Sequence, residues 1–270
     1  DEAVRNCVAV GADPDRIALL DNFCWGNTER PETLGSLVLA AQGCHDLALS
    51  YGTPFISGKD SLNNEYTHDG KSLAIAPTLL ISALGQVPDI LRCVTMDLKE
   101  PGNVLLIVGQ TRRELGGSHW LLVRGVEGGK VPQVDPGLGL DLFRAVHAAI
   151  NRGLVRSCHD LSEGGLAAAL AEMALAGGLG AAVSLRDVPC ADDAAHDAVL
   201  LFSESPSRFV LEVRPEHATV VADLFSGLPL GRLGTVVADS LLSVRGLNAD
   251  PVIESRVPDL KTAWQRPLRW

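Results

Sequence analysis

Residues 57–66, Ser-Gly-Lys-Asp-Ser-Leu-Asn-Asn-Glu-Tyr, set four side-chain types side by side that together suit a phosphorylated ligand. Gly58 lets a ligand approach the backbone closely. Lys59 can meet a phosphate as a point charge, Asp60 offers hard oxygens to a divalent cation, and Ser61 adds a hydroxyl. Lys59 is one of only five lysines in 270 residues. The same residues would also make a polar turn after the apolar run Thr53–Ile56, since Gly, Asn and Ser are ordinary turn formers.

Three other clusters carry comparable options. In Leu20-Asp21-Asn22-Phe23-Cys24-Trp25-Gly26-Asn27, an acid at the end of a strand could hold a metal or a ribose hydroxyl, or an Asx turn could simply join strand to helix. His159-Asp160-Leu161-Ser162-Glu163-Gly164-Gly165 precedes a helical pattern. Backbone N–H groups there would bind an anion, or Asp160 or Ser162 would cap the helix. Ser203-Glu204-Ser205 stands before a strand pattern and reads either as a grip on a polar ligand or as a solvated loop. No Walker A loop or Rossmann glycine fingerprint is present, and Gly116-Gly117-Ser118 lacks the required spacing. Cys44 and His45 are helical neighbours, which is poor support for a Cys–His nucleophile. His159 and Asp160 do not make a dyad by adjacency alone.

The elements that must position these clusters alternate. Val4, Cys7 and Val8 share a helical face that Gly11 stops. Arg16–Leu20 reads as a strand ending at Asp21-Asn22. Pro31 opens a helix whose apolar positions run from Leu34 to Tyr51, and Gly52 closes it. Leu73–Val87 reads as one long strand or two with a bend at Pro77. A boundary is expected near Thr95–Gly102, which is polar and turn-rich. Beyond it come a strand at Val104–Val108, a helix at Leu140–Arg152, an Ala-rich helix at Gly165–Ala176, a strand at Arg208–Val213, a helix at Pro215–Phe225 and a strand at Val236–Val244. The alternation implies an α/β or α+β fold, and no repeat of 20–50 residues is visible.

A chain of this length holds two modest domains. Its net charge of −10 and lack of a Lys/Arg block argue against a nucleic-acid surface. Six scattered cysteines without a CxxC pair point to a reduced, cytosolic protein rather than a zinc or disulfide scaffold. The longest apolar run, Leu73–Val87, is too short and broken for a membrane span. The opening Asp1-Glu2-Ala3 enters a helix at once, as if cut from something longer.

Taken in order, DNFCWGNTERPE, SGKDSLNNEY, ELGGSHW, HDLSEGGL and LFSESPSRF resemble the synthetase subunit of phosphoribosylformylglycinamidine synthase, also called formylglycinamide ribonucleotide amidotransferase. The likeness runs over nearly the whole chain and falls on the second of that family's two pseudo-repeats. It implies an aminoimidazole ribonucleotide synthetase-like fold with an N-terminal subdomain at 1–97, incomplete at its start, and a C-terminal subdomain at 98–270. The reaction it implies is the ATP-dependent conversion of formylglycinamide ribonucleotide to formylglycinamidine ribonucleotide with glutamine-derived ammonia, in purine biosynthesis. ATP would phosphorylate the amide oxygen, and ammonia would displace phosphate. Transferred residue by residue, the resemblance gives Asp21, Gly58 and Lys59 to the nucleotide, Ser61 to the substrate and Asp60 to Mg2+. Many relatives carry an asparagine metal ligand where Lys59 stands, and a charged lysine cannot ligate magnesium, so Asp60 is its substitute. His159, Asp160, Ser162, Glu163, Ser203, Glu204 and Ser205 would line the pseudo-symmetric site, which holds an auxiliary nucleotide in some members. The family's catalytic histidines lie in the first repeat, so no catalytic residue is assigned and the fragment alone is expected to be inactive. Implied partners are the first-repeat half, a glutaminase, a small accessory subunit and the ribonucleotide substrate. The alternatives are a non-catalytic nucleotide-binding scaffold that docks the glutaminase, or another enzyme of the same ATP-binding fold.

Overall fold

Val104–Val108 is buried at every position, although its strand neighbours are antiparallel. An antiparallel strand with one wet face would alternate; this one is covered on both faces. In the computed structural model, which describes residues 1–268, Val104, Leu106 and Val108 enter one hydrophobic core, while Leu105 and Ile107 enter a second.

The first half contains α1 (Glu2–Ala9), β1 (Ile17–Trp25), α2 (Pro31–Tyr51), β2 (Phe55–Gly58), β3 (Ser61–Leu62), β4 (Glu65–His68), β5 (Lys71–Ala74) and β6 (Thr78–Gly85). β1 is central to a four-stranded sheet. It pairs antiparallel with β6 along its length and parallel with both β2 and β3 on its other edge. Because both edges of β1 are paired, the strand continues through Asp21 and Asn22 to Trp25 instead of ending at Asp21. The long apolar run is two strands, β5 and β6, interrupted around Pro77. β4 and β5 form a separate hairpin.

The second half contains β7 (Val104–Val108), α3 (His119–Arg124), α4 (Pro136–Asn151), β8 (Val155–Asp160), α5 (Gly165–Gly177), β9 (Gly180–Ser184), α6 (Asp197–Phe202), β10 (Phe209–Val213), α7 (Ala218–Leu224), β11 (Leu230–Val237), β12 (Leu241–Arg245), β13 (Pro251–Arg256) and α8 (Val257–Gln265). Seven strands form one sheet in the order β13-β12-β9-β11-β7-β10-β8. The single strand expected at Val236–Val244 is divided between β11 and β12, which flank β9 on opposite sides. The chain crosses the end of β9 at Gly180, where any side chain would collide with the backbone of Asp239 and Leu241. α4 starts earlier than the periodicity suggests because Asp135 caps it, accepting from Leu138 N–H, with Pro136 at its first position.

One core is shared by the two halves. Val4, Val8, Ile17, Leu19 and Tyr51 pack with Leu142, Phe143, Val146, Phe209 and Val221. The connecting segment is fastened as well. Leu98 is buried in the second core, and the Glu212 carboxylate accepts from Lys99 N–H (2.8 Å), Glu100 N–H (3.1 Å), Asn103 Nδ2 (2.6 Å) and Ser157 Oγ (3.0 Å).

Candidate functional site

The stretch 57–61 does not turn. β2 and β3 both run parallel to β1, with Asp21 opposite Gly58 and Cys24 opposite Ser61, so Lys59 and Asp60 form a break in a strand edge. Lys59 N–H donates to the Asp21 carbonyl (3.0 Å) across that break, and the Asp60 carboxylate accepts weakly from Phe23 N–H (3.4 Å). The Asp21 carboxylate lies directly on Gly58, where a Cβ would overlap it. Lys59 Nζ donates to Ser61 Oγ (2.8 Å) and is otherwise exposed. Five predicted residues, Asp21, Gly58, Lys59, Asp60 and Ser61, are therefore brought to one place, with an ammonium and two carboxylates on a half-open edge.

The fit to magnesium follows from this donor set. Among the described residues no group of three or more His, Cys, Asp or Glu side chains could enclose a metal. Magnesium characteristically uses one or two carboxylates and completes its shell with water and phosphate. Exposed Asp60, with only one long hydrogen bond, suits that kind of shared ion.

Beside Asp21, an apolar depression of about 370 Å3 is lined by Phe23, Cys44, Ala48 and Phe55 among others. Burial, followed by the Asp21 charge, pushes the Cys44 thiol up, and His45 pairs with Asp46 at 3.0 Å. Cys44 is thus a wall residue of this depression, and its surroundings favour the neutral thiol. All six cysteines are free.

The second predicted cluster divides between a surface and an interior. Ser162, Glu163 and Glu204 line a cavity of about 470 Å3, together with Glu2, Arg5 and His119. Glu204 Oε1 accepts from Gly164 N–H and His119 N–H, both at 2.9 Å. Of these, the Gly164 N–H is a donor that an anion at the start of α5 would need. Ser162 Oγ donates to Glu2. Ser203 and Ser205 do not line that cavity and are not solvated: both are buried and stitched to the segment at Arg112–Glu114 through their hydroxyls. Behind them the fully buried Arg208 donates to Ser203 and Ser205 carbonyls and to Thr111 Oγ1. Burial drives that guanidinium down to about 9.

His159 and Asp160 do meet, at 3.4 Å, and His159 Nε2 lies 2.9 Å from Glu172. Burial opposes a charge on His159, but hydrogen bonds to Asp160 and Glu172 outweigh it and raise its pKa to about 9. Asp160 also faces burial, yet His159 and Arg5 hold its carboxyl below the ordinary value. Arg5, buried and bonded to Asp1 (2.6 Å) and Asp160 (3.3 Å), escaped sequence reasoning. Its neighbour Val4 marked the apolar face of α1, and nothing in the sequence signals that an arginine beside it finds acids from another element.

Two family models match the chain: AIR synthase related protein, N-terminal domain, over residues 1–87, and AIR synthase related protein, C-terminal domain, over residues 100–246. Phosphoribosylformylglycinamidine synthase subunit PurL of Alkaliphilus metalliredigens is 36% identical over 99% of the chain and 35% of its own length. The subunit of Deinococcus radiodurans is 39% identical over 99% of the chain and 36% of its own length. The chain thus spans about a third of the curated relatives it matches. Among solved structures, T. maritima PurL complexed with FGAR superposes with a TM-score of 0.76 at 23% identity, covering 95% of this chain and 41% of that one. E. coli HypE, a hydrogenase maturation protein, superposes with a TM-score of 0.66 at 18% identity, covering 94% and 76%. With one of the two models spanning more than half of its residues, the chain belongs to the AIR synthase related protein family.

Proposed function

We propose that this chain is the second repeat of a phosphoribosylformylglycinamidine synthase synthetase, and that its broken strand edge forms one wall of an ATP site. The observation that carries this reading is the contact of Asp21 with Gly58 beside Lys59, Asp60 and Ser61, in a chain 36–39% identical to PurL subunits over 99% of its length. Solved T. maritima PurL structures are described as complexes with ATP and with FGAR. In this reading Asp21 accepts from nucleotide hydroxyls. Lys59 leaves the Ser61 hydroxyl to meet phosphate oxygens, which frees Ser61 for the substrate. Asp60 would hold magnesium, whose charge would offset that of the phosphates. His159, Asp160, Ser162, Glu163 and the Ser203–Ser205 loop form the pseudo-symmetric region, where only Ser162, Glu163 and Glu204 reach the cavity. The first repeat brings the rest of the site, and a glutaminase brings ammonia. The chain by itself therefore turns over no substrate.

Titration calorimetry with magnesium-ATP tests this, on the chain alone and with the first-repeat half added. Asp60→Asn is expected to weaken magnesium-dependent binding at least tenfold, as is usual when a charge-assisted contact is lost, with unchanged circular dichroism. Binding that is indifferent to Asp60→Asn and Lys59→Gln would remove the assignment.

A further inference from the structure

A second polar cavity, of about 330 Å3, lies where the connecting segment meets β8. Arg92, Thr95 and Lys99 line it from the connector, and Gly153 and Arg156 from the other side. Three of its lining residues are cationic and none is a carboxylate, in a chain of net charge −10. Two of these cations have acid partners, Lys99 in Asp97 at 2.5 Å and Arg92 in Asp89 at 3.9 Å, which leaves Arg156 as the free one. Among the described residues the Arg156 side chain has neither an ion pair nor a hydrogen bond, and its Nε is enclosed without an acceptor. Enclosed donors are nearly always satisfied by protein, water or an ion. Arg92 Nη1 approaches Gly153, where a Cβ would come within 2.5 Å of it, so its guanidinium forms part of the wall.

We propose that this cavity binds a small phosphate-bearing dianion, held by the Arg156 and Arg92 guanidinium groups with Lys99 beside them. Guanidinium forks recognise phosphate oxygens bidentately. A bound dianion joins the connector to β8 and so braces the junction of the two halves. The cavity shares no residue with the strand edge at Asp21–Ser61, and this inference stands independently of the ATP reading. The dianion has two sources, free phosphate or the monoester of a small metabolite, and the volume lies within the range of small-molecule sites.

Calorimetric titration at low ionic strength with inorganic phosphate and, separately, with glycerol 3-phosphate distinguishes them; the tighter ligand identifies the source. One saturable site is expected. Lys59→Gln should leave it intact, Arg156→Gln should weaken it at least tenfold, and Arg156→Lys should restore only part of the loss because it returns charge without the fork. If Arg156→Gln does not fold, Arg92→Gln on the half-exposed connector decides in its place. No saturable binding by the unmodified protein overturns the proposal, as does binding lost with Lys59→Gln and kept with Arg156→Gln.

Discussion

A single hydrogen in place of a methyl group lets Asp21 and Gly58 occupy adjoining strands in register. Gly58→Ala is expected to destabilise the fold by about 1–3 kcal/mol, the usual cost of forcing extra atoms into a filled space, as read from urea denaturation. The paired change Asp21→Ala with Gly58→Ala should recover most of that loss; no recovery would mean that the clash lies elsewhere. His159 makes a prediction about pH. Its folded pKa of about 9 exceeds the unfolded value near 6.5, so its contribution is complete below about 6.5 and fades as pH rises through 9. Relative to His159→Gln, the unmodified protein should lose its advantage across that window; a pH-independent difference would show that His159 is not charged in the fold. At this scale the sequence revealed the strand-edge residues, because Gly, Lys, Asp and Ser lie adjacent in it. It hid the Arg5–Asp160–His159–Glu172 chain, because those contacts join residues up to 155 positions apart.

Among the elements, the loop at Ser203–Ser205 takes its shape from Arg208. Its guanidinium satisfies two carbonyls that no water can reach. Arg208→Met keeps the bulk but strands those acceptors, at roughly 1–3 kcal/mol for each. The expected loss is about 3 kcal/mol or more in denaturant unfolding, together with displacement of Glu204 from the Gly164 and His119 amides. A loss below about 1 kcal/mol would show that the loop holds itself. The helices α1, α2 and α5 and the strand β7 were legible because caps, Gly stops and unbroken apolar runs are local signals. The division of Val236–Val244 was not, since the apolar residues continue through the crossing and only Gly180, far away in sequence, marks it. The interruption of the strand edge at Lys59 and Asp60 was equally silent, because a polar stretch beside a paired strand reads like a turn until the strand across from it is known.

On the scale of the whole molecule, the first half turns apolar side chains outward. Leu39 and Leu49 on α2 are 69% and 71% exposed, and Leu80 and Leu84 on β6 are 59% and 64% exposed. Apolar area of this kind marks interaction surfaces, and the edge of a small sheet adds unpaired backbone groups. The chain alone is expected to self-associate at micromolar concentration, and, on the proposed reading, a first-repeat half should dissolve those assemblies into a defined complex. Light scattering that shows a stable monomer at all concentrations would count against a missing partner. No helix among the described residues is long and apolar enough to cross a membrane.

The core shared between the halves has a consequence for synthesis. α1 and β1 leave the ribosome well before the residues they pack on, from Leu142 to Val221, which come more than a hundred residues later. At ordinary elongation rates of about 5–20 residues per second, the nascent first half waits several seconds with an open apolar flank. Slowing translation before Leu142 should lengthen that wait and increase capture by a holding chaperone. Slowing it after Phe225 should not.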